Sequence, residues 1–229
     1  KLLCCYVAKL LFQCGVDLAL FCHYINIMKY LMTILIAVSV LSAVAMPFSN
    51  VKAKYDKINT IQGTFTQTLC SSEQGTCQQF EGKFYIAKPY YSRLEVTSPE
   101  KQLIITDSAS FYIYLTDKKK VYVQPASAGI NFFKIFEMLL ADTARFALTA
   151  QDDQYYTFQS KNDSLNQYTS GFEDMKFVIN GKTNLIEQFS YVDYSGNETS
   201  FELSKMKINE KLASKLFKFT IPKDVEIIQ

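Results

Sequence analysis

From Glu81 to Gln124 the chain alternates apolar and polar side chains in five short runs: Lys83 to Ala87, Tyr91 to Thr97, Gln102 to Thr106, Ser110 to Leu115 and Lys120 to Gln124. A period of two marks a strand with one wet face, and the breaks at Lys88-Pro89, Ser98-Pro99, Asp107-Ser108 and Thr116-Asp117 carry turn chemistry. The stretch therefore predicts an uninterrupted antiparallel meander. Its candidate inner face is Phe84, Ile86, Leu94, Val96, Leu103, Ile105, Phe111, Ile113, Leu115, Val121 and Val123. So large an apolar wall requires a cover.

Before the meander, GTFTQTLC and QQFEGKFY read as strands on either side of the polar loop SSEQGT, and Val51, Tyr55, Ile58 and Ile61 fall at the spacing of a short amphipathic helix. Past Gln124 the period changes. Asn131 can cap a helix in which Phe132, Phe133, Phe136, Leu139, Leu140 and Thr143 recur at three- and four-residue intervals, with Phe146 and Leu148 close behind. Strand patterns resume at Tyr155 to Ser160, Met175 to Ile179, Leu185 to Val192 and Thr199 to Ile208, joined by turns at Asn180-Gly181 and Ser195-Gly196-Asn197. The chain closes with Phe217 to Ile221 and Val225 to Ile228. These elements predict a mainly β (α+β) domain of about 10–11 antiparallel strands, with one helix before them and one or two in the middle. That much helix cannot cover a flat sheet of this size. A strongly curved sheet wrapped around the helices can, and it would enclose an apolar cavity with the Phe-rich helix as its lid. The plainer alternative is that Phe132, Phe136, Leu139 and Leu140 simply plug the core.

The chain's beginning follows another pattern. Residues 28–45, MKYLMTILIAVSVLSAVA, have the charged start, apolar middle and small-residue exit of a secretory signal, with cleavage expected after Ala45. Residues 1–27 precede that methionine and read as an upstream extension; Lys9 and Asp17 interrupt its apolar runs and argue against the alternative of a membrane anchor. Residues 46–229 are then a single domain. Of 24 basic and 22 acidic side chains, Lys1, Lys9, Lys29 and Asp17 lie in the leader and extension, leaving 21 of each sign in the exported part. A neutral chain gives no electrostatic case for nucleic acid or an anionic membrane surface. Of six cysteines only Cys70 and Cys77 remain, at the two ends of the SSEQGT loop, where a hairpin sets them opposite each other. In an oxidising compartment they predict a disulfide, and two thiols are too few to hold a metal. The one histidine, His23, also precedes residue 46, which excludes His-dependent triads. The eight glycines form no phosphate-cradling loop. Asp152-Asp153 and Glu173-Asp174 sit in polar stretches, so a carboxylate-dependent hydrolase stays only as an alternative. The expectation is a non-enzymatic chain with no cofactor and no metal.

The order of features resembles the periplasmic outer-membrane lipoprotein carrier family, LolA. Phe65-Thr66-Gln67 is similar to the family's early FTQ strand and Gly82-Lys83-Phe84-Tyr85-Ile86 to its G-x-hydrophobic strand. Lys88-Pro89 stands where the family has Arg-Pro, and Arg93-Leu94 resembles the following R/N-W pair. Pro99-Glu100-Lys101-Gln102 resembles its P-x-x-Q/S turn, and Asp107-Ser108 takes the place of Asp-Gly before an aromatic strand, here Phe111-Tyr112-Ile113-Tyr114. Phe219-Thr220-Ile221-Pro222 and Val225 are similar to the C-terminal F-x-x-P…GV stretch. The likeness runs from about Tyr55 to Ile228. It implies a half-barrel with a helical lid that binds the acyl chains of lipoproteins and carries them across the periplasm from the inner to the outer membrane. The cavity would be lined by Phe65, Phe84, Ile86, Leu94, Val96, Leu103, Ile105, Phe111, Ile113, Phe132, Phe136, Leu139 and Leu140. The implied partners of such a monomer are acylated lipoproteins, an inner-membrane lipoprotein-releasing ABC transporter complex that loads it and an outer-membrane lipoprotein receptor that unloads it. Lys88, with Arg93, stands at the implied lid latch, and lysine lacks the planar fork of the family's arginine. The alternatives of the same fold are a lipid-binding receptor, which would be lipidated at an N-terminal cysteine, and a lipid-sensing regulatory domain.

Overall fold

The computed structural model describes residues 46–128, 132–141, 143–161 and 172–228, and for residues 46, 47, 128, 132–134, 137, 138, 143 and 173 the backbone alone. The expected extension and leader (1–45) and the helix cap Asn131 lie outside the described residues. Helix α1 (Met46–Asp56) precedes six strands, β1 (Thr60–Ser71), β2 (Thr76–Ala87), β3 (Tyr91–Ser98), β4 (Gln102–Thr106), β5 (Ser110–Leu115) and β6 (Lys120–Pro125). Helix α2 (Phe132–Ala141) follows, and then β7 (Phe146–Gln151), β8 (Tyr155–Ser160), β9 (Phe172–Asn180), β10 (Leu185–Asp193), β11 (Glu198–Ile208) and β12 (Glu226–Ile228).

The twelve strands of the described residues form one sheet in the order β12-β6-β5-β4-β3-β2-β1-β11-β10-β9-β8-β7, and its two edges are not joined. Pairing is antiparallel throughout except for β12, which runs parallel to β6. The fold is thus the expected open, curved, mainly β sheet, with two α-helices among the described residues. Three elements differ. Ile58 and Ile61, expected on the first helix, lie beyond its end at Asp56, with Ile61 in β1. Phe146 and Leu148 begin a strand rather than trail the helix, and Phe146 pairs with Ser160. Phe217 to Ile221 is not a strand, because Ser214–Phe217 closes into a 3-10 turn and the segment lies across a sheet face instead.

Curvature has local causes. Register slips at Gln62/Thr64 between β1 and β11 and at Glu81/Gly82 between β2 and β3 are bulges, which bend a strand and raise its twist. A glycine stands at each: a Cβ on Gly63 would come within 2.6 Å of the Ser204 carbonyl oxygen, and one on Gly82 would run into the Glu95 carbonyl and the Phe65 ring. Both helices contribute to one continuous core with the concave side of the sheet, from Val51 and Tyr55 of α1 and Ile135, Phe136, Leu139 and Leu140 of α2 to Phe84, Leu94, Phe177 and Phe189 of the strands. The link from β6 to β7, strands that stand toward opposite edges, passes through α2.

Candidate functional site: the concave wall and its helical plug

Pairing registers decide which side chains share the concave wall. Phe65 faces Gly82, Phe84 faces Leu94, Leu94 faces Ile104 and Ile104 faces Ile113. On the other side of β1 the wall continues through Phe201, Phe189, Phe177 and Phe158, which pair across β11, β10, β9 and β8. Rings line this half: Phe65–Phe201, Phe201–Phe189 and Phe189–Phe177 have centroids 6.2, 4.8 and 6.4 Å apart. Phe65, Phe84, Ile86, Leu94 and Val96 are buried in this core, as are Phe136, Leu139 and Leu140 of α2. Phe111 is buried and Ile113 half-buried on the same face. The side chain of Phe132 lies outside the description.

Leu103 and Ile105 are not brought together with these residues. They pair with Tyr114 and Tyr112, so they point to the convex face, whereas Ile104 between them points inward. Val121 and Val123 share that convex face, since they pair with the same two tyrosines. It is covered by the C-terminal segment: Phe219 packs on Tyr112 and Tyr114 at 5.3 and 5.8 Å, and Phe217 on Tyr91 at 5.6 Å. Arg93 belongs to this side as well. Its Nη1 donates to the Leu216 carbonyl at 3.0 Å and its Nε to Glu95 Oε1 at 2.7 Å. Lys88 stands on the other side of the β2–β3 turn, where its Nζ donates to the Tyr55 carbonyl at 2.9 Å. It also lines a cleft of about 260 Å³ with Lys52, Tyr55, Asp56, Phe136, Leu140 and Ala141, so it borders both helices. Ligand pockets usually run from about 300 to 1,000 Å³. With α2 docked, the wall is occupied by the helix itself.

Several contributors were not visible in the sequence pattern. Tyr55 joins three elements: its ring meets Phe136 edge-on at 5.4 Å, its carbonyl accepts from Lys88, and its hydroxyl accepts from the Ile186 N–H at 3.0 Å. That N–H is available because β10 bulges between Ile186 and Gln188. Phe136 in turn meets Phe189 edge-on at 5.7 Å. Ser92 and Thr106 are a directly opposed pair on β3 and β4, exposed by only 1% and 3%, and their hydroxyls have no hydrogen-bond partner among the described residues. Leaving a buried hydroxyl unpaired costs about 1–3 kcal/mol. The only sequence trace of this pair is two polar side chains in phase with Leu94 and Ile104.

The expected disulfide is present, Cys70 to Cys77 across the β1–β2 hairpin, with Cα atoms 4.0 Å apart. Asp152, from the candidate carboxylate pairs, caps a turn. Its Oδ1 accepts from the N–H groups of Gln154 and Tyr155 at 2.7 and 2.6 Å, and these bonds hold the carboxyl below its ordinary range.

A family model described as outer membrane lipoprotein carrier protein LolA matches residues 56–220. An outer-membrane lipoprotein carrier protein of Shewanella woodyi is 27% identical over 179 residues, 78% of this chain and 84% of the relative. One from Francisella tularensis subsp. novicida is 26% identical over 180 residues, 76% of this chain and 84% of that protein. Among solved structures, an uncharacterized conserved protein from Thermus thermophilus is similar with a TM-score of 0.50 at 12% identity, over 79% of this chain and 97% of that one. That likeness concerns the fold alone.

Proposed function

The chain belongs to the outer membrane lipoprotein carrier family LolA, and on that footing we propose that it is a periplasmic chaperone that holds the acyl chains of lipoproteins against the concave wall and carries them from the inner to the outer membrane. One observation carries the reading. The wall of Phe65, Phe84, Leu94, Phe189 and Phe201 is covered by Phe136, Leu139 and Leu140 from a single ten-residue helix that belongs to a strand-to-strand connection rather than to the sheet. Such a cover can lift without breaking a ladder hydrogen bond, and the surface it frees is apolar and curved. An acyl chain needs this. Each methylene is worth about 0.8 kcal/mol of burial, so a multiply acylated protein does not cross water unaided.

Lys88 is assigned to hold the cover down, because it is bonded to α1 and borders the last turn of α2 in the same cleft. Arg93 holds the C-terminal segment on the convex face. With no phosphate-cradling loop in its sequence, the carrier takes its loading energy from an inner-membrane lipoprotein-releasing ABC transporter and gives up cargo to a receptor that binds it more tightly. Native mass spectrometry of protein purified from a periplasmic extract tests the reading: an acylated polypeptide is expected to co-purify. A stoichiometric sugar or other water-soluble small molecule as sole companion would overturn it.

A further inference from the structure

Among the described residues the concave wall carries a directly opposed pair of buried hydroxyls that the carrier reading leaves unexplained. Ser92 stands in phase with Leu94 on β3 and pairs directly with Thr106, which stands in phase with Ile104 on β4. Opposed residues of an antiparallel pair place their side chains on the same face, about 4.5–5.5 Å apart at Cβ. Apolar neighbours surround them: Ile86 opposes Ser92 on β2 and Phe111 opposes Thr106 on β5. Neither hydroxyl has a hydrogen-bond partner among the described residues, although both are almost wholly buried. The third such hydroxyl, Ser160, ends β8 far along the sheet order and has no companion of its kind among the described residues. Two adjacent unused donors on an apolar wall fit a ligand that is apolar along its length and carries an acceptor oxygen at one end. An acyl chain is such a ligand, because its first carbon is a carbonyl whether the chain is linked as an ester, linked as an amide or free as an acid.

We infer that Ser92 and Thr106 form a hydrogen-bonding subsite for the carbonyl oxygen at the head of a bound acyl chain, an inference that rests on the acyl-carrier reading above. The hydroxyls set the depth to which the chain enters: the head stops at the β3–β4 pair and the methylenes run along the Phe-lined wall. They also distinguish an acyl chain from an alkyl chain of equal length, which a wall of rings alone cannot do.

The test displaces a fluorescent apolar probe, 1-anilinonaphthalene-8-sulfonate, from the full exported domain with monopalmitoylglycerol, with its ether counterpart hexadecylglycerol, and with palmitate. The ester is expected to displace the probe at about tenfold lower concentration than the ether, the size of effect that one or two net hydrogen bonds produce. In the Ser92→Ala/Thr106→Val protein that preference is expected to vanish while the ether's potency is retained. The double variant removes unpaired hydroxyls, so its melting temperature should be no lower than that of the parent. Equal potency of ester and ether on the parent, or a preference that survives the double substitution, overturns the subsite. A lower melting temperature with an unchanged ratio would show a structural water in its place, and also overturns it. Palmitate sorts the source of the carbonyl: a gain for the ester assigns a covalently linked chain, and a larger gain for palmitate assigns a free fatty acid. If none of the three ligands displaces the probe, the acyl-carrier reading itself falls.

Discussion

Tyr55 joins its own helix to β10, to α2 and to the β2–β3 turn, using hydroxyl, ring and carbonyl in turn. Replacing it with phenylalanine keeps the ring and leaves the Ile186 N–H buried without a partner. Tyr55→Phe should therefore cost about 1–3 kcal/mol in urea unfolding, with the far-ultraviolet spectrum unchanged. The phenol also links stability to pH. Burial pushes its ionisation well above the ordinary value of 10.0, so the folded state holds the proton that the unfolded chain releases. Its contribution is complete below that ordinary value and is lost as pH rises beyond it. Stability of the parent should fall more steeply above pH 10 than that of Tyr55→Phe, a difference that denaturant titrations on either side of that pH will read. Gly82 is a second residue whose role is steric, since any Cβ there meets the Glu95 carbonyl and the Phe65 ring. Gly82→Ala should lower stability by about 1–3 kcal/mol through overpacking.

Among the elements, the β1–β2 hairpin is held at its tip by Cys70–Cys77 and docked on the β10–β11 turn, where Ser72 Oγ donates to the Ser195 carbonyl at 2.7 Å and Asn197 Oδ1 accepts from the Ser72 N–H at 3.1 Å. The disulfide closes a short loop, for which chain entropy gives about 2.5 kcal/mol. Reduction should thus cost no more than this, and hydrogen exchange should quicken at residues 68–79 while α2 stays as protected as before. Exchange that spreads into α2 would contradict a purely local staple. The same strands show what could be read in advance. Alternation in Tyr91 to Thr97 and Ser110 to Leu115 is clean, and those strands form with the expected inward side chains. Leu103-Ile104-Ile105 is apolar at three consecutive positions, so pattern alone leaves its phase undecided; the pairing of Leu94 with Ile104 settles it and turns Leu103 and Ile105 outward. An outward apolar residue looked implausible only because the C-terminal segment, which packs on Tyr112 and Tyr114 of the same face, reads locally as one more strand.

At the scale of the whole molecule, the core and the proposed binding site are the same surface, and this explains why the site was only partly legible. Phe136, Leu139 and Leu140 repeat with the period of any buried helix, and nothing in that spacing separates a permanent core from a removable cover. Lys88 was legible through family resemblance. Tyr55 and the proposed pair of Ser92 and Thr106 were not, because their placement comes from a bulge and a pairing register that no local spacing encodes. A single substitution separates core from cover. Phe136→Ala should cost about 3–5 kcal/mol of unfolding free energy, yet it should tighten binding of an acyl probe, because the state with α2 displaced becomes more populated. Thermal unfolding and probe titration on the same sample read both signs; a loss of stability accompanied by weaker binding would place Phe136 in an ordinary core.

Helix α2 is tethered to both sides of the surface it covers, by way of β6 and β7. On the proposed carrier reading it would therefore act as an intramolecular competitor at a fixed effective concentration, and cargo affinity would be the difference between two apolar contacts rather than the strength of one. A carrier that works as proposed would be tuned for release as much as for capture: trimming the helix would yield a better binder and a worse courier.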